Sequence, residues 1–185
     1  MPLDLDDNPA DDRPLVVVGF DGSEAAARAI AVATTLMAGA DILVVCVYRP
    51  LLDAAGAALL GASEELVRGG ARALDAQRRH EAQQTAERGA ALAAADGSAS
   101  EALALAATGA VWAAIVHLAE QRRAAAVVVG ERRLSGLGRI VLGSVSSGLV
   151  HHATLPVLVV PDTGDTRRRN GEAAQALAGV PDPRA

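Results

Sequence analysis

The stretch Leu15-Val16-Val17-Val18-Gly19-Phe20-Asp21-Gly22-Ser23 decides the fold of this 185-residue chain. Its first six residues are apolar without interruption and rich in β-branched side chains, which is typical of a strand buried on both faces. Ser23 is a good helix N-cap, and the alanine-rich segment from Glu24 to Met37 has high helix propensity. A second apolar run from Ile42 to Tyr48 predicts another buried strand. Strand, helix and strand at this spacing indicate a βαβ unit with parallel strands and a right-handed crossover.

The rest of the chain continues this alternation. Residues 50–62 are interpreted as a loop or a loosely attached short helix, and Gly69-Gly70 predicts a break before a long helix from Ala71 to about Ala95. The remaining predicted elements are a strand at Ala102–Thr108, a helix at Ala110–Arg123, a strand at Ala126–Val129, a short helix at Ser144–His152 and a closing strand at Leu155–Val160. The alternation predicts an α/β fold, a three-layer α/β/α domain on a five-stranded parallel, Rossmann-like sheet.

Composition predicts one domain between two tails. The chain is 51% hydrophobic, enough to bury a core, and residues 14–162 are expected to form the domain. Residues 1–13 hold five acids and one arginine and are expected to be a disordered acidic tail, and residues 163–185 a second disordered tail. The body between the tails is close to neutral. This argues against nucleic acid as a partner, because binding the phosphate backbone requires clustered cations.

The sequence also bears on compartment and on metal binding. The single cysteine, Cys46, excludes an intramolecular disulfide and suits a reducing cytoplasm. No apolar run approaches the ~20 residues that a membrane helix needs, and the acidic N-terminus lacks the basic region of a secretory signal. We therefore expect a cytoplasmic protein without a membrane partner. We expect no metal site, because the adjacent His151 and His152 point in different directions on a helix and no carboxylate follows at helical spacing.

The segment of residues 130–146 carries the most chemical information, because it directly follows a predicted strand. In parallel sheets ligands bind beyond the carboxyl ends of the strands, and glycines there let backbone amides approach an anion. Gly143-Ser144 stands at a predicted helix N-terminus, where free N–H groups and the helix dipole favour phosphate. The hydroxyls of Ser144 and Ser146 add donors. A simple glycine turn is an equally supported interpretation from the residues alone.

Several known motifs are absent from the sequence. Without Gly-Lys-Ser/Thr the segment is not a Walker A loop, and residues 136–141 lack the third glycine of the dinucleotide fingerprint. There is also no Gly-x-Ser-x-Gly nucleophile elbow. The sequence therefore singles out no catalytic residue, and we expect a binding protein that is not an enzyme, with a slow ATP hydrolase left open.

Four segments together carry a resemblance to a known family. They are Val18–Ser23, Gly109-Ala110 at the start of a helix, Val127–Gly130 followed by Gly143–Ser146, and the closing segment of residues 151–160. In their order and spacing, residues 14–162 resemble the universal stress protein family, as a single-domain member with an adenine-nucleotide-alpha-hydrolase-like fold. ATP-binding members share the pattern Gly-x-x-Gly-x9-Gly-Ser/Thr. This chain keeps Gly130, Gly143 and Ser144 in register and has Arg133 at the second glycine.

The resemblance implies a nucleotide site. It implies that Asp21 faces the nucleotide and that a backbone group of Val47 meets the adenine, whereas the residues alone allow a turn role for Asp21 and strand core for Val47. Arg133 either fills the space of the missing glycine or, with Arg132 and Arg139, supplies cations to phosphates. The predicted nucleotide-binding residues are Gly19, Asp21, Val47, Gly130, Arg132, Arg133, Gly143, Ser144, Val145 and Ser146.

The sequence thus predicts a stress-response regulatory protein that binds an adenine nucleotide and acts on an unknown protein partner. ATP, with or without Mg²⁺, is the first choice, and cyclic AMP is an alternative ligand. An alternative function is a dimeric interaction module without a nucleotide, its pocket closed by Arg133. Family members dimerise through the last strand, and Leu155–Val160 is an apolar run at a predicted sheet edge, so we expect a homodimer through this strand.

Overall fold

The computed structural model describes residues 13–51, 64–131 and 143–161, and within these ranges five strands alternate with four helices. In chain order the elements are β1 Leu15–Gly19, α1 Glu24–Leu36, β2 Asp41–Tyr48, α2 Glu64–Ala95, β3 Ser100–Ala106, α3 Val111–Gln121, β4 Ala126–Gly130, α4 Ser144–His152 and β5 Val157–Val160. The predicted α/β class, with helices on both faces of a five-stranded parallel sheet, is confirmed.

The strands lie in the order β3-β2-β1-β4-β5, and every neighbouring pair is parallel. β1 stands at the centre, where Val17 is in register with Leu43 of β2 and with Val127 of β4. The chain winds outward in one direction through β2 and β3 and in the other through β4 and β5. The direction reverses between β1 and β4, and this reversal opens a crevice at their carboxyl ends.

The core lies on both faces of the sheet. Val16 and Val18 face α1 and α2, where they join a buried cluster that includes Ile30. Val17 faces the other way and joins a cluster with Ile115 of α3 and Leu149 of α4. This two-sided burial is the reason why β1 is apolar at every position instead of alternating with polar residues.

The turn between β1 and α1 forms as the sequence predicted. Gly22 has a φ of +82°, which favours glycine, and the hydroxyl of Ser23 accepts a hydrogen bond from Ala26 N at 3.2 Å. The helix ends at Leu36, shortly before Gly39, whose φ is +89°. Both ends of α1 are thus set by local sequence.

The predicted break at Gly69-Gly70 is wrong. α2 begins at Glu64 and continues through both glycines to Ala95. A glycine inside a helix costs about 1 kcal/mol relative to alanine, and the alanine, glutamate and arginine residues on both sides offset this cost. The predicted loop or short helix at residues 50–62 lies mainly outside the described residues, as do both predicted tails.

The third strand is shifted from its prediction, since β3 covers Ser100–Ala106 instead of Ala102–Thr108. Its alternation of alanine and leucine has a packing cause. Leu103 and Leu105 pack into the cluster beneath α3 and α4, whereas Ala102 packs on the side of α1 and α2. Small side chains on that side let α2 lie close to the strand.

None of the described helices is both long enough and apolar enough to cross a lipid bilayer.

Candidate functional site

A cavity of about 230 Å³ opens at the carboxyl ends of β1, β2 and β4. It lies at the reversal of strand order, and the N-terminal turns of α1, α3 and α4 contribute to its walls. The lining residues are Gly19, Phe20, Asp21, Ser23, Ala26, Val45, Val47, Val111, Ile115, Val129, Gly130, Gly143, Ser144, Val145 and Ser146. The topology therefore gathers into one space residues that are more than a hundred positions apart in the sequence.

One wall of the cavity is apolar. Val45 and Val47 alternate along β2 and face the same side of the sheet as Ile115 of α3 and Val129 of β4. Val111, one turn before Ile115, completes this wall at the start of α3. A flat apolar group, such as an aromatic ring, fits a surface of this kind.

Another part of the lining is polar and lies at the N-terminus of α4. Gly143 is the N-cap, with a φ of −56° and a ψ of 156°, and it has no side chain to cap the helix. The next residues, Ser144 and Ser146, carry hydroxyls, and Ser146 is only 3% exposed. Free N–H groups at a helix N-terminus, together with hydroxyl donors, favour an anion such as phosphate.

A turn positions the carboxylate of Asp21 at the rim. Asp21 Oδ1 accepts a hydrogen bond from Ser23 N at 3.0 Å, while Ser23 itself caps α1. Asp21 is exposed and also lines the cavity, so the turn role and the cavity position are compatible. The rim thus carries a hydrogen-bond acceptor with a negative charge, which repels phosphate and attracts hydroxyl or amino groups.

Two of the lining glycines lie close to neighbouring residues. A Cβ on Gly19 would lie 3.0 Å from Val129 Cγ1. A Cβ on Gly130 would lie 2.5 Å from the carbonyl carbon and oxygen of Ala25. Only glycine at position 130 lets the end of β4 approach the first turn of α1 so closely.

Cys46 belongs to the other face of the sheet. It stands between Val45 and Val47 in β2, so its thiol points away from the cavity wall that they form. Burial raises the pKa of this thiol above its usual 9.0; the charge of Asp21 raises it further and that of Arg88 lowers it. A neutral thiol in this position acts as a small packing group.

Eight of the ten residues predicted from the sequence line the cavity: Gly19, Asp21, Val47, Gly130, Gly143, Ser144, Val145 and Ser146. Arg132 and Arg133 lie outside the described residues. Sequence reasoning missed Phe20, Ser23, Ala26, Val45, Val111, Ile115 and Val129. A usable signal existed for some of these, because Val45 is two positions from Val47 in a strand and Val111 and Ile115 are four apart in a helix.

Within the described ranges, no group of three or more histidine, cysteine, aspartate or glutamate residues could hold a metal ion. Asp21 is the only carboxylate among the described lining residues.

The chain is similar to a known protein family over most of its length. A model of the universal stress protein family matches residues 14–161. A universal stress protein of Mycolicibacterium smegmatis is 43% identical over 54 residues, which are 29% of this chain and 18% of the length of that relative. This chain is therefore similar to only a small part of that longer protein.

Solved structures extend the likeness to the whole fold. A universal stress protein from Archaeoglobus fulgidus is 23% identical with a TM-score of 0.58, covering 80% of this chain and 98% of that chain. At this identity the likeness shows the fold alone. A universal stress protein solved in complex with cAMP is 28% identical with a TM-score of 0.55, covering 80% of this chain and 96% of that chain.

Proposed function

This chain belongs to the universal stress protein family, and we propose that it is a stress-response regulatory protein that binds an adenine nucleotide in the cavity at the ends of β1, β2 and β4. ATP is the first choice of ligand. The proposal depends on one observation: apolar side chains and an uncapped helix N-terminus line a single cavity. A nucleotide has the same two parts, a flat base and an anionic phosphate chain.

We place the two parts of the ligand by the chemistry of the lining residues. In the proposed complex the adenine lies against Val45 and Val47, and the phosphates lie at Gly143, Ser144 and Ser146. The reverse direction would bring phosphates toward the carboxylate of Asp21, which repels them. In the proposed direction Asp21 instead accepts a hydrogen bond from a ribose hydroxyl or from the adenine amino group.

Cyclic AMP is the second candidate ligand. It is favoured by the universal stress protein that was solved with cAMP and that is 28% identical to this chain. Cyclic AMP has one phosphate with a single charge, so it gains less than ATP from the helix N-terminus and from Arg132 and Arg133. In this proposal Arg132 and Arg133 supply cations to the phosphates. The competing hypothesis is that Arg133 closes the pocket.

The proposed role is binding and regulation, with no catalytic residue. We place this role in the cytoplasm, with a protein partner of unknown identity.

Part of this proposal is a homodimer through residues 155–160. β5 is the last strand of the sheet and pairs only with β4 in the described structure. Pro156 O accepts from Val127 N at 2.9 Å and Val160 O accepts from Glu131 N at 2.8 Å, so the peptide groups of Val157 and Val159 point away from β4. They supply a free edge for a second copy.

The test is a calorimetric titration with ATP, ADP, AMP and cyclic AMP, with and without Mg²⁺, on the wild type, Gly143→Asp and Gly143→Asn. Both substitutions suit the φ of −56° at this N-cap, and both side chains are good N-caps, so both variants retain α4. Only aspartate adds a negative charge where phosphate is proposed to bind.

We expect saturable binding by the wild type, with a much larger loss for Gly143→Asp than for Gly143→Asn. Equal effects of the two variants would argue that phosphate does not bind at α4. Absence of binding for all four nucleotides would overturn the proposal and favour the ligand-free interaction module. If Arg133→Gly then restored binding, Arg133 would be identified as the residue that closes the pocket.

A further inference from the structure

The outer edge of β3 is covered by a side chain. β3 pairs with β2 on one side, and no other described strand lies along its second side. On that open side, Gln83 Oε1 of α2 accepts a hydrogen bond from Ala104 N at 3.0 Å, and Gln83 Nε2 donates to Ala102 O at 3.4 Å. One carboxamide therefore satisfies two backbone groups that would otherwise be free.

These two bonds have the pattern of parallel strand pairing. In a parallel ladder, one residue donates its N–H to a carbonyl of the neighbouring strand, and its C=O accepts from the N–H two residues further on. On the inner side of β3, Ile42 N donates in this way to Ala99 O at 2.8 Å. Gln83 bridges Ala102 and Ala104 with the same two-residue step. Its carboxamide supplies the donor and the acceptor that one residue of a sixth parallel strand would supply.

A third bond fixes the orientation of the carboxamide. Gln83 Nε2 also donates to Glu87 Oε1 at 3.1 Å. The two acceptors, Glu87 and Ala102 O, surround the amide nitrogen, while the N–H of Ala104 faces the amide oxygen. A flipped amide would lose all three bonds, so the hydrogen-bond network determines which end is oxygen.

The packing of α2 brings Gln83 to the edge. The neighbouring Ala82 is 6% exposed and Ala86 is fully buried, so this turn of the helix is pressed against the sheet. Ala102 presents a small side chain to the same layer. Gln83 is half-buried and reaches past the strand to its outer backbone groups.

We propose that Gln83 is an edge lock, which prevents a second copy of this chain from adding a strand to β3. The described sheet then has one edge for strand addition, β5, and one that is closed. A sheet with two open edges can grow into a filament by pairing β5 of one copy with β3 of the next. With β3 closed, pairing through β5 ends at two copies. The lock is independent of the nucleotide proposal and rests on the proposed pairing through β5.

The first test measures hydrogen exchange at the amide of Ala104 in the wild type, Gln83→Met and the control Gln77→Met. Methionine keeps the length and the apolar contacts of glutamine without its polar groups. Gln77 is exposed on the same helix and bonds to Glu81 instead of β3. We expect the Ala104 amide to exchange about tenfold faster in Gln83→Met, and not in Gln77→Met. The amide of Leu103 faces β2 and should keep its rate.

The second test measures assembly by sedimentation velocity over a range of concentrations. Gln83→Met should form species larger than the largest wild-type species, and adding Val159→Pro, which removes an outward N–H from β5, should abolish them. If Gln83→Met does not fold, Gln83→Asn replaces it, because the shorter arm keeps the amide but does not reach β3. An unchanged Ala104 exchange rate, or faster exchange without larger species, would overturn the edge lock.

Discussion

The backbone of Gly130, at the end of β4, lies directly against the carbonyl group of Ala25 in the first turn of α1. A Cβ at position 130 would lie 2.5 Å from the carbon and oxygen of that carbonyl and 2.8 Å from Ala26 N. All three are backbone atoms, so no rotamer change relieves the overlap. Gly130 and Ala26 both line the cavity, and this close approach therefore sets part of its shape.

Gly130→Ala should lower the free energy of unfolding by about 1–3 kcal/mol, because the overlap can be relieved only by moving a strand or a helix. It should also weaken nucleotide binding, since the N-terminus of α1 moves. Chemical denaturation and calorimetry measure the two effects. The matched control is Gly109→Ala, where a Cβ meets nothing within 4 Å. Equal stability of the two variants would contradict the proposed contact.

A second close approach joins α3 and α4. A Cβ on Gly148 would overlap the indole of Trp112, which also stacks on His152 with a centroid distance of 4.3 Å and an interplanar angle of 15°. Gly148→Ala should therefore displace the indole and destabilise the protein, despite a gain in helix propensity of about 1 kcal/mol.

Trp112 is the only tryptophan of the chain, so its fluorescence emission reports on this contact directly. Gly148→Ala should shift the emission and lower the midpoint of unfolding. Val150→Ala, on the same helix but with 53% of the residue exposed, should change neither. An unshifted emission in Gly148→Ala would show that the indole does not rest on Gly148.

The reactivity of Cys46 should respond to two charges in opposite directions. Its pKa is raised by burial and by Asp21 and is lowered by Arg88. Because the thiolate is the nucleophile, Asp21→Asn should lower the pKa and speed alkylation by iodoacetamide at pH 8, whereas Arg88→Gln should raise the pKa and slow it. Shifts of both variants in the same direction would exclude this electrostatic account.

The same thiol gives a pH dependence of stability. Because the folded-state pKa lies above the unfolded-state value of 9.0, the folded protein holds the proton more tightly. The resulting stabilisation is complete below the unfolded-state pKa and is lost as pH rises through the folded-state pKa. Stability curves of the wild type and Cys46→Ala should therefore converge or cross above pH 9, and parallel curves would show that Cys46 does not contribute.

The proposed homodimer can be tested at the edge of β5. The peptide N–H of Val159 points away from β4, so Val159→Pro removes a donor from the free edge and no hydrogen bond within the sheet. We expect this variant to be monomeric in sedimentation at concentrations where the wild type pairs. Val159→Thr keeps the N–H and the β-branched shape and should remain paired. A dimeric Val159→Pro would place the interface elsewhere.

Much of the fold was predictable from local patterns. The uninterrupted apolar run at β1 required burial on both faces, and Ser23 with Gly22 marked the start of α1. The break predicted at Gly69-Gly70 was wrong because the helix-forming residues on both sides offset the cost of the two glycines. β3 begins and ends two residues earlier than predicted. Its alternation of alanine and leucine is explained by packing between two helical layers, which local strand propensity does not include.

The residues of the site also fall into two groups, those with a local sequence signal and those brought together only by the fold. Glycine, serine and aspartate after strands are local signals, and they identified eight of the residues that line the cavity. The apolar wall was missed because Val45, Val111 and Ile115 are ordinary core residues in sequence, and only strand order brings them together at one edge. Gln83 gave no sequence signal at all.

The sequence by itself determined the alternation of strands and helices, the caps of α1 and the chemistry available after β1 and β4, because these depend on neighbouring residues. Only the tertiary structure decided which residues share a cavity and which sheet edge is closed. Both depend on contacts between distant segments: the reversal of strand order next to β1 opens the cavity, and the packing of α2 on β3 brings Gln83 to the backbone of Ala102 and Ala104.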